Sequence, residues 1–264
     1  MKFAKFARVL APVAAMALAT ALSACDGAHF SINGEDGKKL SELDMSGTAP
    51  TELVLAGPDA VNVTQGDKLA ITVDGDEELA KQMRFTLKDG ALGIMRKDGK
   101  WGGDDGRVTV NVTMPALREL TLAGSGKITA AALTKDAQIT IAGSGEVDTP
   151  TVAADSLKID VAGSGSYRAG GTVRELKLTV AGSGNAEMPT LKVDSAKLTI
   201  AGSGSARFAS DGNVSADIMG SGSIYVTGRA TCKVSSMGSG KLVCEPAAEA
   251  PAPAADANTA APKT

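Results

Sequence analysis

The chain has 264 residues and 43% hydrophobic residues, which is enough to build one large domain or two small ones around a buried core. Aromatic residues make up only 3% of the chain, so a core packed around large rings is disfavoured. The net charge of -3 does not favour binding to nucleic acid or to an anionic lipid surface.

The N-terminus has the three parts of a secretion signal. Its basic start contains no acidic residue and holds Lys2, Lys5 and Arg8. The apolar run 9–22 is too short to cross a bilayer, and it ends in Leu-Ser-Ala before Cys25. This pattern resembles a bacterial lipoprotein, so residues 1–24 are predicted to be removed and Cys25 to be lipidated, which holds the chain on a membrane. An ordinary signal peptide cut at the same place is the alternative.

The residues after the cleavage site predict where the chain resides. In enteric bacteria an Asp at the position of Asp26 resembles the signal that retains a lipoprotein in the inner membrane, although a plain linker residue is the alternative. We therefore expect a location in the bacterial cell envelope facing the periplasm, at the inner membrane or alternatively the outer one. Residues 25–44 are polar and contain glycine, which is typical of a tether.

Residues 45–116 have an irregular β pattern. The stretch 53–63 reads as two strands around a degraded turn, Gly-Pro-Asp. Further elements are predicted as strands at 68–73, 85–87, 91–95 and 107–114 and a short helix at 77–82. We expect this region to cover one end of a stack of repeats, because repeat folds need capped ends.

Residues 117–244 contain seven Gly-Ser-Gly motifs at intervals of 18–20 residues. The first glycines of these motifs are Gly124, Gly143, Gly163, Gly182, Gly202, Gly220 and Gly238. Mostly apolar residues stand two and four positions before, and four and six positions after, each of them, alternating with mostly polar ones. A period of two indicates strands with one buried face. Each unit is therefore predicted to be a strand, a tight turn, a second strand and a looser return.

Stacking these units buries their apolar faces and pairs each strand with its copies above and below. The sequence therefore predicts an all-β protein, a single-stranded parallel β-helix (β-solenoid) turned at glycines that adopt positive φ without steric cost. Its turn serines are predicted to stack in a ladder with each hydroxyl able to donate to the next: Ser125, Ser144, Ser164, Ser183, Ser203, Ser221 and Ser239. An antiparallel sandwich is the alternative, but it does not require the same turn at a fixed period.

Residues 61–63, 69–73 and 108–117, running into the serial Gly-Ser-Gly turns, resemble the head GIN domain family, whose members are described as putative autotransporter adhesins. The likeness covers about residues 45–244, most of the mature chain. It implies a β-solenoid of unknown function and supplies no catalytic residues. Residues 245–264, beyond it, are rich in Ala and Pro and are predicted to be disordered.

The sequence offers no recognisable catalytic set. Its one histidine, His29, lies in the predicted tether, which disfavours a serine hydrolase and a His/Cys metal site. Carboxylates at 74–78 and 98–105 could hold calcium, but neither group matches a known calcium loop, so solvated loops are favoured. Gly-Ser-Gly-Lys at 124–127 lacks the rest of a phosphate-binding loop. We therefore predict no cofactor and no metal.

Cys232 and Cys244 stand six residues before and six residues after Gly238, both in core-facing columns of the last repeat. We predict a disulfide that locks this end and contributes ~3 kcal/mol, with two buried free thiols as the alternative.

Three hypotheses about function follow from these patterns. The first is a non-enzymatic, lipid-anchored envelope protein whose solenoid displays a surface for a protein or glycan, in adhesion or scaffolding. The second is a carbohydrate-binding or carbohydrate-active solenoid, for which Trp101 is the candidate exposed contact residue. The third is self-assembly into a homo-oligomer through the solenoid ends or sides.

Overall fold

The computed structural model describes Ile32 and residues 36–97 and 106–246. Sixteen strands wind into one continuous sheet whose neighbouring coils pair almost entirely in parallel. The predicted β-solenoid is thus confirmed, and the antiparallel sandwich is not formed. Among the described residues, no helix has both the length and the apolar character needed to span a membrane.

The strands and helices fall into an irregular N-terminal part and a regular part. The first contains a 3-10 helix at Leu40–Glu42, β1 (Glu52–Ala56), β2 (Ala60–Gln65), β3 (Ala70–Asp74), α1 (Glu77–Gln82), β4 (Met83–Lys88), β5 (Ala91–Arg96) and β6 (Thr109–Met114). The second contains β7 (Glu119–Gly124), β8 (Lys127–Ala130), β9 (Asp136–Gly143), β10 (Glu146–Gly163), β11 (Ser166–Gly182), β12 (Asn185–Gly202), β13 (Ser205–Gly220), β14 (Ser223–Thr227), β15 (Thr231–Gly238) and β16 (Lys241–Glu245). Helix α1 has the predicted bounds because Asp76 caps it, accepting hydrogen bonds from two backbone N–H groups.

The return between successive turns is itself a strand, not the looser segment that the sequence pattern predicted. Strands β10 to β13 are 16–18 residues long and bend at corners while they continue to pair. Between β10 and β11 the register shifts between Thr149 and Val152, and regular pairing resumes from Val152 to Gly163. A coil covered above and below has no water to satisfy its backbone groups, so nearly the whole circuit must pair with its neighbours.

The core is a set of inward-facing columns that run along the solenoid. One column is essentially inaccessible to solvent in every coil beneath the last one, where its members are Leu53, Leu120, Ile139, Ile159, Leu178, Leu198 and Ala216. The largest fully buried side chain, Tyr167, keeps its hydroxyl satisfied by a 2.6 Å hydrogen bond to Thr149 Oγ1. Burial raises the pKa of Tyr167, so this hydroxyl stays protonated inside the core.

Both glycines of the repeated turn are required by close packing. Gly163 has a φ of +115°, and a Cβ there would lie 2.5 Å from the carbonyl oxygen of Gly143 in the coil below. A Cβ on Gly165 would point inward, 2.6 Å from Ile141 Cγ2. The first glycine therefore allows the coils to approach, and the second leaves room for the core side chain beneath the turn.

The serine between these glycines contributes its backbone more than its hydroxyl. The N–H of Ser164 donates to the carbonyl of Gly143 at 2.9 Å, and the same bond recurs at Ser144, Ser183, Ser203 and Ser221. All seven turn serines are exposed and stand in one column, but the hydrogen bonds of the described chain include none between two of their hydroxyls. The ladder along the turns therefore consists of backbone hydrogen bonds.

The coils do not stack in chain order at the N-terminal end. Strand β1 lies between β5 and β7 and pairs in parallel with both, and β2 pairs in parallel with β6, so β5 and β6 lie beneath β1 and β2. Strand β4 runs antiparallel to β5, and β3 runs antiparallel to β6. These two antiparallel strands end the stack and supply the cap expected for this region.

The segment before the cap is not a free tether up to residue 44. Ile32 is buried against Ala56, Met95 and Ala123 on the outside of the sheet. The backbone of Lys38 exchanges two hydrogen bonds with that of Phe85, at 2.8 and 2.9 Å. These contacts attach Ile32 and Lys38 to the first coils, within the segment 25–44 that the sequence predicts to be a tether.

A buried ion pair closes the column of turns at this end. Gly-Pro-Asp replaces Gly-Ser-Gly in the coil of β1 and β2, and the Asp59 carboxylate accepts from Arg96 Nη2 at 2.6 Å and from Arg96 Nε at 2.8 Å. Asp59 also accepts from the N–H of Val108, and Arg96 donates to the carbonyl of Gly106. The side chains of Asp59 and Arg96 are 1% and 5% exposed, so the bidentate pair replaces solvent for both charges.

We predict that Gly163→Ala lowers the free energy of unfolding by about 2–4 kcal/mol, because the new Cβ meets a backbone oxygen at a positive φ. Chemical denaturation followed by circular dichroism measures this difference. Ser164→Ala on the same turn is the matched control and should change stability by less than about 0.5 kcal/mol. An equal effect of the two substitutions would show that the hydroxyl, not the glycine, holds the turn.

We predict that Arg96→Met or Asp59→Asn lowers the free energy of unfolding by about 3–5 kcal/mol, because each substitution leaves the remaining charge buried without an opposite charge. The double variant should cost clearly less than the sum of the two. Glu78→Gln, which removes the exposed ion pair with Lys81, is the control and should stay within about 1 kcal/mol of the parent. Additive losses in the double variant would contradict a coupled pair.

Candidate interaction surface

Because successive coils pair in parallel and in register, equivalent outward-facing residues of the coils align in columns on the outside of the solenoid. On the strands that enter each turn, three outward columns lie side by side, and we call them together the three-column face. The charged column contains Glu52, Glu119, Gln138, Lys158, Lys177, Lys197, Ser215 and Lys233. The hydroxyl column contains Thr121, Thr140, Asp160, Thr179, Thr199, Asp217 and Ser235. The alanine column contains Ala56, Ala123, Ala142, Ala162, Ala181, Ala201, Met219 and Met237.

The charged column is polarised along the solenoid axis. Its acidic members Glu52 and Glu119 lie on adjacent strands at the capped end, and lysines follow beyond Gln138. Burial raises the pKa of Glu119, the neighbouring Glu52 raises it further, and Arg118 and Lys158 act in the opposite direction. One carboxylate oxygen of Glu119 is buried without a hydrogen-bond partner in the described chain. Its desolvation therefore destabilises the charged form of Glu119.

Two lysines in the middle of the face form no ion pair within the described residues. Lys158 pairs with Asp160 at 2.9 Å, but Lys177 and Lys197 are exposed and take part in none of the ion pairs of the described chain. They lie directly opposite each other on β11 and β12, where strands are ~4.8 Å apart. Like charges in this arrangement repel each other. An anionic group held between them would remove that repulsion, and Thr179 and Thr199 place hydroxyls beside it.

The structure brings together the two cysteines of the last coil. Cys232 and Cys244 form a disulfide, with their Cα atoms 6.8 Å apart, between β15 and β16. Both continue columns that point into the core in the coils below, so the bond crosses the interior at the C-terminal end. Cys25, Asp26 and Trp101, to which the sequence analysis assigned lipidation, sorting and ligand contact, lie outside the described residues.

Three of the four acidic residues at 74–78 have structural partners. Asp76 caps α1, Asp74 accepts a hydrogen bond from Asn111 Nδ2 at 2.6 Å, and Glu78 pairs with Lys81. Within the described ranges, no group of three or more His, Cys, Asp or Glu side chains is arranged to hold a metal ion. The second acidic group, at 98–105, falls outside those ranges.

Sequence reasoning missed Tyr225 as an exposed aromatic. Its side chain is 40% exposed, and the Arg207 guanidinium stacks over its ring at 5.2 Å from the centroid. The signal was available in the period of two: Tyr225 stands five residues after Gly220 and faces outward, whereas Tyr167 stands four residues after Gly163 and faces inward.

The parallel coils, glycine turns and capped end define a β-solenoid domain of the adhesin type. The chain belongs to the family described as "putative auto-transporter adhesin, head GIN domain", whose model matches residues 49–230. This membership supports an adhesin-like role at the bacterial cell envelope. No curated protein matches the chain.

Solved structures from other bacteria share the fold. A putative adhesin from Bacteroides fragilis NCTC 9343 superposes with a TM-score of 0.64 at 19% identity, covering 75% of this chain and 93% of that one. A putative lipid binding protein from Parabacteroides distasonis ATCC 8503 gives 0.61 at 23% identity, with coverage of 75% and 93%. A putative adhesin from Parabacteroides merdae ATCC 43184 gives 0.56 at 18% identity, with coverage of 75% and 92%. At these identities the likeness shows the fold alone.

Proposed function

We propose that this chain is a non-enzymatic, lipid-anchored envelope protein that makes adhesive contacts through the three-column face. The observation that carries the proposal is the pair Lys177 and Lys197, two exposed lysines in register on neighbouring strands that form no ion pair in the described chain. Family membership supports the adhesin-like part of the proposal. The partner that fits is an extended protein or glycan bearing anionic groups.

The geometry of the face suits an extended partner. Continuous pairing of coils holds the columns rigid, so little conformational entropy is lost when a partner binds. Each exposed charge contact contributes about 1 kcal/mol or less and is screened by salt. Several contacts along one column are therefore needed, and the repeat of the solenoid supplies them at regular spacing.

The anchor in this proposal is the lipid on Cys25, with Asp26 as the residue that selects the membrane. Ile32 is the seventh residue after Cys25, and it packs at the capped end of the solenoid. Seven extended residues reach about 25 Å at most. The capped end would then lie near the membrane and the three-column face would project away from it into the envelope.

We predict that Lys177→Gln/Lys197→Gln weakens binding of the mature Cys25→Ser chain to an anionic polysaccharide such as heparin by about fivefold or more at low salt. Surface plasmon resonance at several salt concentrations measures this change. The matched control is Lys68→Gln/Lys192→Gln, which removes the same charge from exposed positions elsewhere.

An equal loss in both double variants would mean that net charge, not the column, attracts the polymer, and the proposed surface would be wrong. Binding of neutral dextran that is abolished by Tyr225→Ala and unaffected by the lysine variants would instead support the carbohydrate-binding alternative.

We predict that cells expressing the parent chain incorporate labelled palmitate into it and that Cys25→Ser abolishes the label, because the acyl groups depend on that thiol. Fractionation of the labelled cells then tests Asp26: label in the inner membrane fits retention there, and label in the outer membrane contradicts it. A parent chain without label would make the protein unanchored and overturn this part of the proposal.

A further inference from the structure

Of the five exposed large apolar side chains in the described residues, four lie at the C-terminal end of the solenoid, and the fifth is Met45. In the last two coils Met219 is 45% exposed, Tyr225 40%, Val234 52% and Met237 74%. Val234 belongs to a column that is buried in every coil beneath it, so its exposure marks the open end of the core. Apolar surface of this kind on one end of a protein is typical of a docking surface.

The same end presents unpaired strand edges. Within the described chain, β15 pairs with β13 and β16 pairs with β14, and each has a free edge on its other side. Such an edge is a template for another β-strand. The opposite end of the stack is covered by the antiparallel β3 and β4, so the two ends are not equivalent.

We propose that a second copy of this chain covers the C-terminal end, head to head about a two-fold axis, with β16 of one copy antiparallel to β16 of the other. The sequence Lys-Leu-Val-Cys-Glu of β16 is self-complementary in this arrangement. With Val243 on the axis, Lys241 of each copy lies opposite Glu245 of the other. An edge lysine ordinarily opposes pairing, but here it meets an opposite charge.

Because the two ends of the solenoid differ, a head-to-head contact and a head-to-tail contact would use different strand edges. A head-to-tail contact would have to join β16 to the outer edge of β3 or β4, and the outer edge of β4 is already occupied in part by the backbone hydrogen bonds between Lys38 and Phe85. A head-to-head contact uses the same surface twice and closes as a dimer, not a filament. Flexible methionines at positions 219 and 237, in place of the alanines of the lower coils, can repack against the second copy.

The dimer has a consequence that rests on the proposed lipid anchor. Because Ile32 packs at the capped end, the two anchored N-termini of a head-to-head pair lie at its opposite ends. The pair would therefore join copies held on two facing surfaces, which is adhesion of the protein to itself. The dimer itself does not depend on the lysines of the three-column face, so the two ideas can fail separately.

The test is the mass of the mature Cys25→Ser chain in solution, measured by light scattering after size exclusion over a range of micromolar concentrations. We expect a dimer, with Lys241→Glu and Glu245→Lys each weakening it by about fivefold or more and the double exchange Lys241→Glu/Glu245→Lys restoring it. Lys68→Glu, an equal charge reversal far from this end, is the control and should leave the mass unchanged. Thermal unfolding of each variant shows that it is folded.

Three results would overturn the proposal. A monomer at every concentration would exclude the second copy as the occupant of this end. A dimer that appears only after residues 247–264 are deleted would show that the chain's own C-terminal segment covers it. If neither single charge reversal weakens the dimer, or if the double exchange does not restore it, the copies associate through another surface or register.

Discussion

The close approach of backbone to backbone at the turn is the constraint on which the rest of this structure depends. At Gly163 the next coil lies so near that a single Cβ would meet a carbonyl oxygen at 2.5 Å, and the same contact recurs from turn to turn. Coils that touch at this distance must keep the same turn geometry, so any one position recurs directly above its equivalent. Inward columns then form a continuous core, outward columns form flat faces, and the long strands need almost no loop between them.

A stack of equal coils leaves its core and strand edges open at both ends, and the two ends of this solenoid are closed in different ways. At the N-terminal end a bidentate ion pair between Asp59 and Arg96 replaces the glycine turn, and antiparallel strands cover the exposed edges. At the other end the apolar columns continue as Cys232, Ser236 and Cys244, which tolerate partial exposure better than large apolar residues. The disulfide crosses the interior there, and the Ser236 hydroxyl bonds to the carbonyl of Gly240. The first end is closed by packing, and the second is closed covalently but keeps free strand edges.

Separation of inward and outward positions also separates fold from function. Core columns consist mainly of small and medium apolar side chains, with a few buried rings such as Tyr167 and Phe208, whereas outward columns can change without disturbing the pairing beneath them. The charged column illustrates this freedom, since its strands keep the same register while the side chain passes from Glu52 to Gln138 to Lys177. A face of this kind can acquire a binding preference by a few surface substitutions. The fold is accordingly kept while the sequence changes, since solved structures share it at 19% and 23% identity.

The sequence by itself determined the features that are periodic. The repeat of Gly-Ser-Gly and the alternation around it predicted parallel coils, the inward columns and the pairing of Cys232 with Cys244 in the last coil, because each depends on spacing along the chain. Only the tertiary structure decided the features that depend on contacts between distant segments. The insertion of β1 between β5 and β7, the Asp59–Arg96 pair and the packing of Ile32 on the first coils join residues that no local pattern relates. The tertiary structure also decided that Lys177 and Lys197 form no ion pair in the described chain. Whether a lysine is paired depends on which acidic residues the neighbouring coils place within reach.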